Sequence, residues 1–499
     1  MPEILLVYDK SEDAGPTLEY ELVRAFQEKG LSANITTSLN EDNAKQHLPG
    51  NVSLVIAFLQ IPKSPVTKLS QDEEEGLELL CWMNNSQINT SSILVAPTRT
   101  KKLQDSQGKV GNCSVVLSGK DMIQDVVKQA VELIEKAPTR CLEVDIDLSG
   151  RTKWTYSLTG KGFNFSKPFG ELSIDETTIL ELSTFSDAMA STDNWQEVLR
   201  TIGDKLLSAL GRDPSFIGDV REGLAYAGDE THTRVRFVVK PDLHSLALEA
   251  VLCPRARDQY WMLSAPIYRR LWTNAPTTGG FLFEGGQKIH CLIIDATTSG
   301  LFQEKDQQTY LNEIPNVSKE CDWIETYLNQ KRNELNIGDV RLLRARPGEP
   351  PLAQQVKEAL ESHDWGIVHY GGHSHHDAKN DVGYVFFPGS GAGSVEKVDL
   401  QRFGDWLRRV TFTYFSSCDS SAGPFVFELA NRRVSNILGF RWKIDDPLAF
   451  EYAKEFYQTL FESRSLEKAF LKARQQMHDL HPADRIWAAP ILIKQLNDS

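Results

Sequence analysis

Short apolar runs, each broken by small or polar residues and followed by a helically spaced stretch, recur along most of this chain. The run Ile4–Val7 stops at Asp9 and predicts a strand buried on both faces. Leu18, Leu22, Ala25 and Phe26 then recur at helical spacing, with Gly30 as the stop. Val52–Leu59, Ser92–Ala96 and Cys113–Leu117 predict further strands, and residues 72–83 a helix. A last helix over 121–136 puts Ile123, Val126, Val127, Ala130, Val131 and Ile134 on one face. This alternation predicts a flavodoxin-like α/β domain over residues 1–137, a parallel sheet between helices.

The pattern changes over 138–285. Residues 141–147 and 233–239 alternate with period two, and 154–165 mixes glycine and aromatics as a hairpin does. Residues 195–210 form an amphipathic helix with Val198, Leu199, Ile202, Leu206 and Leu207 on one side. This reads as a mixed α+β segment preceding and packing on the domain that follows. Over 286–499 the α/β order returns, with apolar runs at 290–295, 340–343, 365–370, 384–387, 410–415, 434–440 and 488–494. Helical stretches cover 317–329, 351–362, 400–409, 447–461 and 466–480. Gly389–Gly393 lacks the Lys-Ser/Thr pair of a phosphate loop and reads as a hairpin tip.

A formal net charge of −14 argues against nucleic acid or an anionic membrane surface as a partner. No apolar run approaches the ~18 residues of a membrane span, and the first residues lack a signal peptide's basic flank and cleavage site. The seven cysteines contain no CxxC pair and read as reduced thiols, so a cytoplasmic location is expected.

Two runs carry the candidate chemistry. Trp365–Tyr370 breaks into Gly371, Gly372 and His373, and Val410–Phe415 breaks into Ser416, Ser417 and Cys418. Chemistry in parallel sheets sits beyond the strands' carboxyl ends, where a His and a Cys can meet. A thiol attacks as thiolate and needs a base, which His373 supplies near neutral pH. Gly372 leaves room for its backbone N–H to approach an oxyanion, and Cys418 adds its own N–H. These are the parts of acyl transfer. Cys418 follows His373 by 45 residues, near the caspase spacing of about 50. Taken singly, Cys418 is a buried small hydrophobe and His373 a hydrogen-bonded turn residue. A zinc site from His369, His373, His375 or His376 lacks a second ligand cluster. In the first domain, a receiver-like phosphoacceptor would need a carboxylate where Phe58-Leu-Gln60 stands, so a sensing or docking role is expected.

These pieces resemble the CHAT domain, a caspase-like family of cysteine endopeptidases related to separases and gingipains. The residues that carry the resemblance are His369–His373, Phe415–Ser420, Gly439–Asp446, Phe456–Leu460, Ala469–Arg474 and Trp487–Ile491, with Leu248, Glu249 and Tyr260–Arg269 upstream. It covers roughly 140–499 and leaves the first domain unexplained. Where the family often has Gly after the His and Ala before the Cys, this chain has Ser374 and Ser417.

The resemblance implies a caspase-like parallel-sheet sandwich over 286–499. It also implies a protease with Cys418 and His373 as its dyad, needing no metal or organic cofactor. Asp446, with Asp445 and Trp442 beside it, matches an acidic specificity pocket that takes Arg or Lys before the scissile bond. The local reading of Asp446 is an N-cap for the helix begun by Pro447. Such proteases act on protein substrates and are usually latent until a partner or sensor triggers them; bacterial antiviral defence or regulated cell death follows by analogy. The alternatives are an inactive caspase-like scaffold and a signalling module whose first domain binds a nucleotide.

Overall fold

The computed structural model describes residues 3–8, 14–28, 34–47, 52–58, 79–80, 91–96, 113–117 and 121–136 of a first compact unit, Met1–Thr139. Of the second, Arg140–Ser499, it describes 142–148, 150–160, 163, 165–189, 191–227, 233–256, 258–273, 282–283, 288–304, 307–377, 382–391, 393–417, 420 and 423–495.

In the first unit the apolar runs become β1 (Glu3–Val7), β2 (Asn34–Ser38), β3 (Val52–Phe58), β4 (Ser91–Ala96) and β5 (Cys113–Leu117). All pairings are parallel, in the order β2-β1-β3-β4-β5. That is the flavodoxin-like order. Leu18, Leu22 and Phe26 of the helix Ala14–Glu28 are buried in its core, as are Val126, Ala130 and Val131 of Met122–Lys136. The helix expected over 72–83 lies outside the described residues except for Leu79 and Leu80.

The second unit holds β6 (Leu142–Leu148), β7 (Lys153–Gly160), β8 (Phe169–Ser173), β9 (Thr233–Val239), β10 (Ile267–Leu271) and β11 (Ile289–Ala296). Next come β12 (Gly300–Glu304), β13 (Gln307–Leu311), β14 (Ile337–Arg344), β15 (Ile367–Gly372) and β16 (Ser374–Asp377). The last are β17 (Val382–Pro388), β18 (Val395–Asp399), β19 (Phe412–Ser416), β20 (Asn436–Phe440) and β21 (Pro490–Lys494). Eleven of them form one sheet, in the order β14-β11-β15-β19-β20-β21-β10-β9-β6-β7-β8. The five from β14 to β20 are parallel, and β21 runs against β20. The segment read as packing on the following domain therefore continues that domain's sheet edge to edge. Its strands β6 to β10 share one buried core with the residues after 286.

Alternation along β15 shows how both faces are covered. His369 meets Tyr457 of the helix Asp446–Ser463 and Glu320 of the helix Pro315–Gln330. Its neighbour Tyr370 faces the other way, onto Phe403 of the helix Leu400–Leu407. With helices on both sides, β15, β19 and β20 are buried at every position and read as continuous apolar runs. Among the described residues no helix is long and apolar enough to cross a membrane.

Candidate active site

The ladder between β15 and β19 ends with Gly371 opposite Ser416. His373 lies two residues beyond the first of these, and Cys418 two residues beyond the second. Cys418 and Asp419 lie outside the described residues, whereas Ser417 and Ser420 on either side are described and buried.

Backbone and side chain together fix His373. Its carbonyl oxygen accepts the N–H of Phe386 at 3.2 Å and lies 2.8 Å from the Tyr370 hydroxyl. That hydroxyl also reaches the Phe386 carbonyl at 2.7 Å, which ties the end of β15 to β17. The imidazole Nε2 is 2.8 Å from the carbonyl oxygen of Asn312, just past β13. A carbonyl only accepts, so Nε2 carries the proton and Nδ1 is the basic nitrogen of the neutral ring. Burial lowers the His373 pKa below the ordinary histidine value. The carbonyls of Asn312 and Thr298 and the charge of Asp446 pull it upward without reversing that.

The two glycines before it serve packing. A Cβ at Gly371 would lie 2.7 Å from Val317 Cγ1 and 3.2 Å from Cys321 Sγ. One at Gly372 would lie 2.8 Å from the Tyr370 hydroxyl. Beneath them is a polar cluster that the sequence reading missed. Glu320 Oε1 is 3.1 Å from His369 Nε2, and its Oε2 accepts the Ser416 hydroxyl at 3.1 Å. His369 Nδ1 lies 3.2 Å from the Tyr457 hydroxyl. One carboxylate thus lies between the two strands that lead to the candidate pair, hydrogen-bonded to Ser416 and close to His369. Its signal was a glutamate within the apolar stripe of Val317, Cys321, Ile324 and Leu328.

Asp446 corrects the local reading. It is the first residue of its helix, and the cap position belongs to Asp445, whose side chain makes no capping bond. The Asp446 carboxylate instead accepts from Asn316 N at 2.9 Å and Asn316 Nδ2 at 3.0 Å. The helix Pro315–Gln330 has Ile314 at its N-cap with no side-chain bond, so Asp446 supplies an acceptor to a neighbouring helix. The same charge acts on His373. Asp445 is exposed, and Trp442 is buried, with the Arg441 guanidinium 6.0 Å from its ring.

Among the described residues, His290, Asp339 and His363 stand close enough together to hold a metal ion. Two of the three are engaged elsewhere: His290 Nδ1 accepts the Asp339 N–H at 3.0 Å, and Asp339 Oδ1 pairs with Arg332 at 3.0 Å, while His363 Nε2 is buried with no hydrogen-bond partner among the described residues. His290 is the second residue of β11, so this group sits at the end of the sheet opposite His373.

Comparison with known proteins adds two likenesses. Solved receiver domains resemble part of the chain. A CheY-like response regulator receiver domain protein from Methanospirillum hungatei shares 13% identity over 28% of this chain and 96% of its own, with a TM-score of 0.21. The signal receiver domain of an HD domain-containing protein from Pseudomonas fluorescens shares 22% over 27% and 96%, with a TM-score of 0.21. No curated protein matches the chain. The family model of the CHAT domain matches residues 196–495, so it leaves β6 to β8 outside and takes in everything from the helix Trp195–Leu210 through β21. A match over well more than half of the 499 residues, enclosing His373 and Cys418, makes this chain a member of the CHAT-domain family.

Proposed function

We propose that the chain is a cysteine endopeptidase that cleaves a protein substrate with Cys418 and His373. The supporting observation is the strand register, with Gly371 opposite Ser416 and the two residues equally far past them. In this reading His373 Nδ1 takes the Cys418 thiol proton, and the thiolate adds to the scissile carbonyl carbon. The N–H groups of Gly372 and Cys418 hold the oxyanion. The tetrahedral intermediate collapses, the C–N bond breaks, and His373 returns the proton to the leaving amine. Water, deprotonated by His373, then hydrolyses the thioester and frees the thiol.

Asp446 is the specificity carboxylate of this proposal, taking Arg or Lys before the scissile bond, with Asp445 and Trp442 flanking it. Its support is its electrostatic reach to His373. Residues 1–137 are the sensing or docking unit through which a partner protein relieves latency.

The test is a proteome-wide cleavage screen comparing the wild type with Cys418→Ala, alongside labelling by an acyloxymethyl ketone bearing Arg. Cuts after Arg or Lys that vanish with Cys418→Ala, and labelling of Cys418 that His373→Ala abolishes, are expected. Cuts mainly after acidic residues would remove the role given to Asp446. Neither cuts nor labelling, with a partner supplied, would leave an inactive scaffold.

A further inference from the structure

A second convergence of chemistry-bearing side chains lies at the far end of the sheet, where the pairing between β11 and β14 slips. Ile289 pairs with Ile337 and Cys291 with Val340, so His290 alone stands opposite both Gly338 and Asp339. Such a bulge puts one extra residue on one strand and re-aims a side chain. The His290 ring packs onto the bulge, since a Cβ at Gly338 would lie 2.7 Å from its Cε1 and 2.8 Å from its Nδ1. Asp339 Oδ2 is 3.6 Å from His290 Nδ1, while Arg332 holds Oδ1. His363 caps the C-terminus of the helix Leu352–Ser362, and its ring centroid lies 4.4 Å from that of His290 at an interplanar angle of 74°. One donor atom of each residue lies within 4.8 Å of the other two. Burial and the charge of His363 both favour the neutral form of the His290 ring, the form that binds a metal.

We propose that His290, Asp339 and His363 form a binding site for one divalent transition-metal ion of the zinc class. Two imidazoles and a carboxylate suit such an ion better than magnesium or calcium, which take oxygen ligands. On a tetrahedral ion with bonds of about 2.0–2.2 Å, neighbouring ligand atoms stand roughly 3.3–3.6 Å apart. His290 Nδ1 and Asp339 Oδ2 already hold that spacing. The ion gives the buried Nε2 of His363 the partner it lacks among the described residues. His290 Nδ1 exchanges the Asp339 N–H for the ion, and its Nε2 keeps the ring proton. Bound there, the ion ties the edge strand β14 to the start of β11 and to the end of the helix Leu352–Ser362. The site takes no part in the proposed cleavage and does not depend on the roles given to Cys418 and His373.

The test titrates the chelator-stripped, full-length chain with zinc and, separately, with magnesium, reading heat of binding and thermal unfolding. Asp339→Asn and His363→Gln are compared with the wild type, because cysteines and histidines elsewhere in the chain also take up zinc. The wild type is expected to bind one zinc ion that each variant holds at least about 10–100-fold more weakly, since losing even a residue that only supports a ligand costs that much. Zinc should raise the Tm of the wild type and not that of the variants, and magnesium should raise neither. The Asp339 side chain is 62% exposed and its pair with Arg332 is a surface one, so the metal-free Asp339→Asn should unfold close to the wild type and its loss of zinc reads the site rather than the fold. Cobalt in place of zinc should give the wild type visible absorption bands that Asp339→Asn weakens, which serves as a second measurement if His363→Gln does not fold. Equal zinc affinity and equal Tm shifts in the wild type and Asp339→Asn overturn the proposal, as does a wild type that takes up no zinc. Neither readout uses peptide cleavage, so failure here leaves the proposed dyad standing, and an inactive dyad leaves the metal site standing.

Discussion

At residue scale the most demanding feature lies away from the proposed dyad. Glu249 is buried between two guanidiniums. Arg269 reaches it through Nε at 2.6 Å and Nη2 at 2.7 Å, and Arg441 through Nη2 at 3.1 Å. Their other donors go to the carbonyls of His244, Ser245 and Leu246. Burial alone would raise the Glu249 carboxyl, but Arg269 and Arg441 outweigh it and hold the value at about 2. Glu249→Ala would strand two buried cations and is expected to cost about 3–5 kcal/mol in urea unfolding. The stability Glu249 contributes is present above the ordinary carboxyl range and is lost as pH falls toward about 2. His244, buried beside the same arginines, acts earlier. Burial, Arg269 and Arg441 hold its pKa well below the ordinary 6.5, so below that pH the unfolded chain binds a proton that the folded one refuses. Stability should therefore fall from pH 6.5 downward, and His244→Leu should flatten that fall in urea midpoints between pH 6.5 and 5. His373 and His290, whose values are also lowered, keep part of the slope. In the proposed reaction the same direction for His373 should put the acid limb of kcat/KM below the ordinary histidine value. That His373 follows a strand end was legible in the sequence, because a glycine pair marks where β15 stops. Glu249 and Arg269 were visible only as part of a family resemblance, since nothing local reveals that a charge is buried with a partner 20 residues away.

At the scale of elements, the helix Pro315–Gln330 sets the floor of the site and depends on two contacts. One is the Asp446 carboxylate at its first turn. Asp446→Ala should destabilise the chain by about 1 kcal/mol, as loss of a cap does. Asp446→Asn keeps an acceptor for the Asn316 N–H and should cost less, yet it should lose cleavage after Arg as fully as the alanine variant. Comparing unfolding midpoints with kcat/KM on Arg and neutral peptides separates the two roles. The other contact is Gly371 against Val317 and Cys321. Gly371→Ala overpacks that junction, with an expected cost of about 1–3 kcal/mol and a lowered Tm. The long apolar strands were legible because helices bury both of their faces. The hairpins were harder. Ser374–Asp377 is entirely polar and is held as a strand by its backbone ladder to β17, so no alternation of side chains marks it. The β12–β13 hairpin, whose following residue Asn312 meets His373, was likewise absent from the apolar pattern.

At the scale of the molecule, a change of composition near residue 285 suggested a boundary, and the sheet runs across it. The pairing responsible joins β10 to β21, more than 200 residues apart, through the register pair Arg269 and Ile493. Gln495 Oε1 extends it by accepting the Leu271 N–H at 2.8 Å. Such distant pairings leave no periodic trace in either segment. The position of β21 also has a consequence for biosynthesis. It lies in the middle of the sheet, yet the ribosome makes it after all ten of its companions. While the roughly 50 residues between Phe440 and Pro490 are translated, a few seconds at about 5–20 residues per second, β20 and β10 both await their neighbour. Nascent chains arrested in that interval should expose two sticky borders and be the species that chaperones engage.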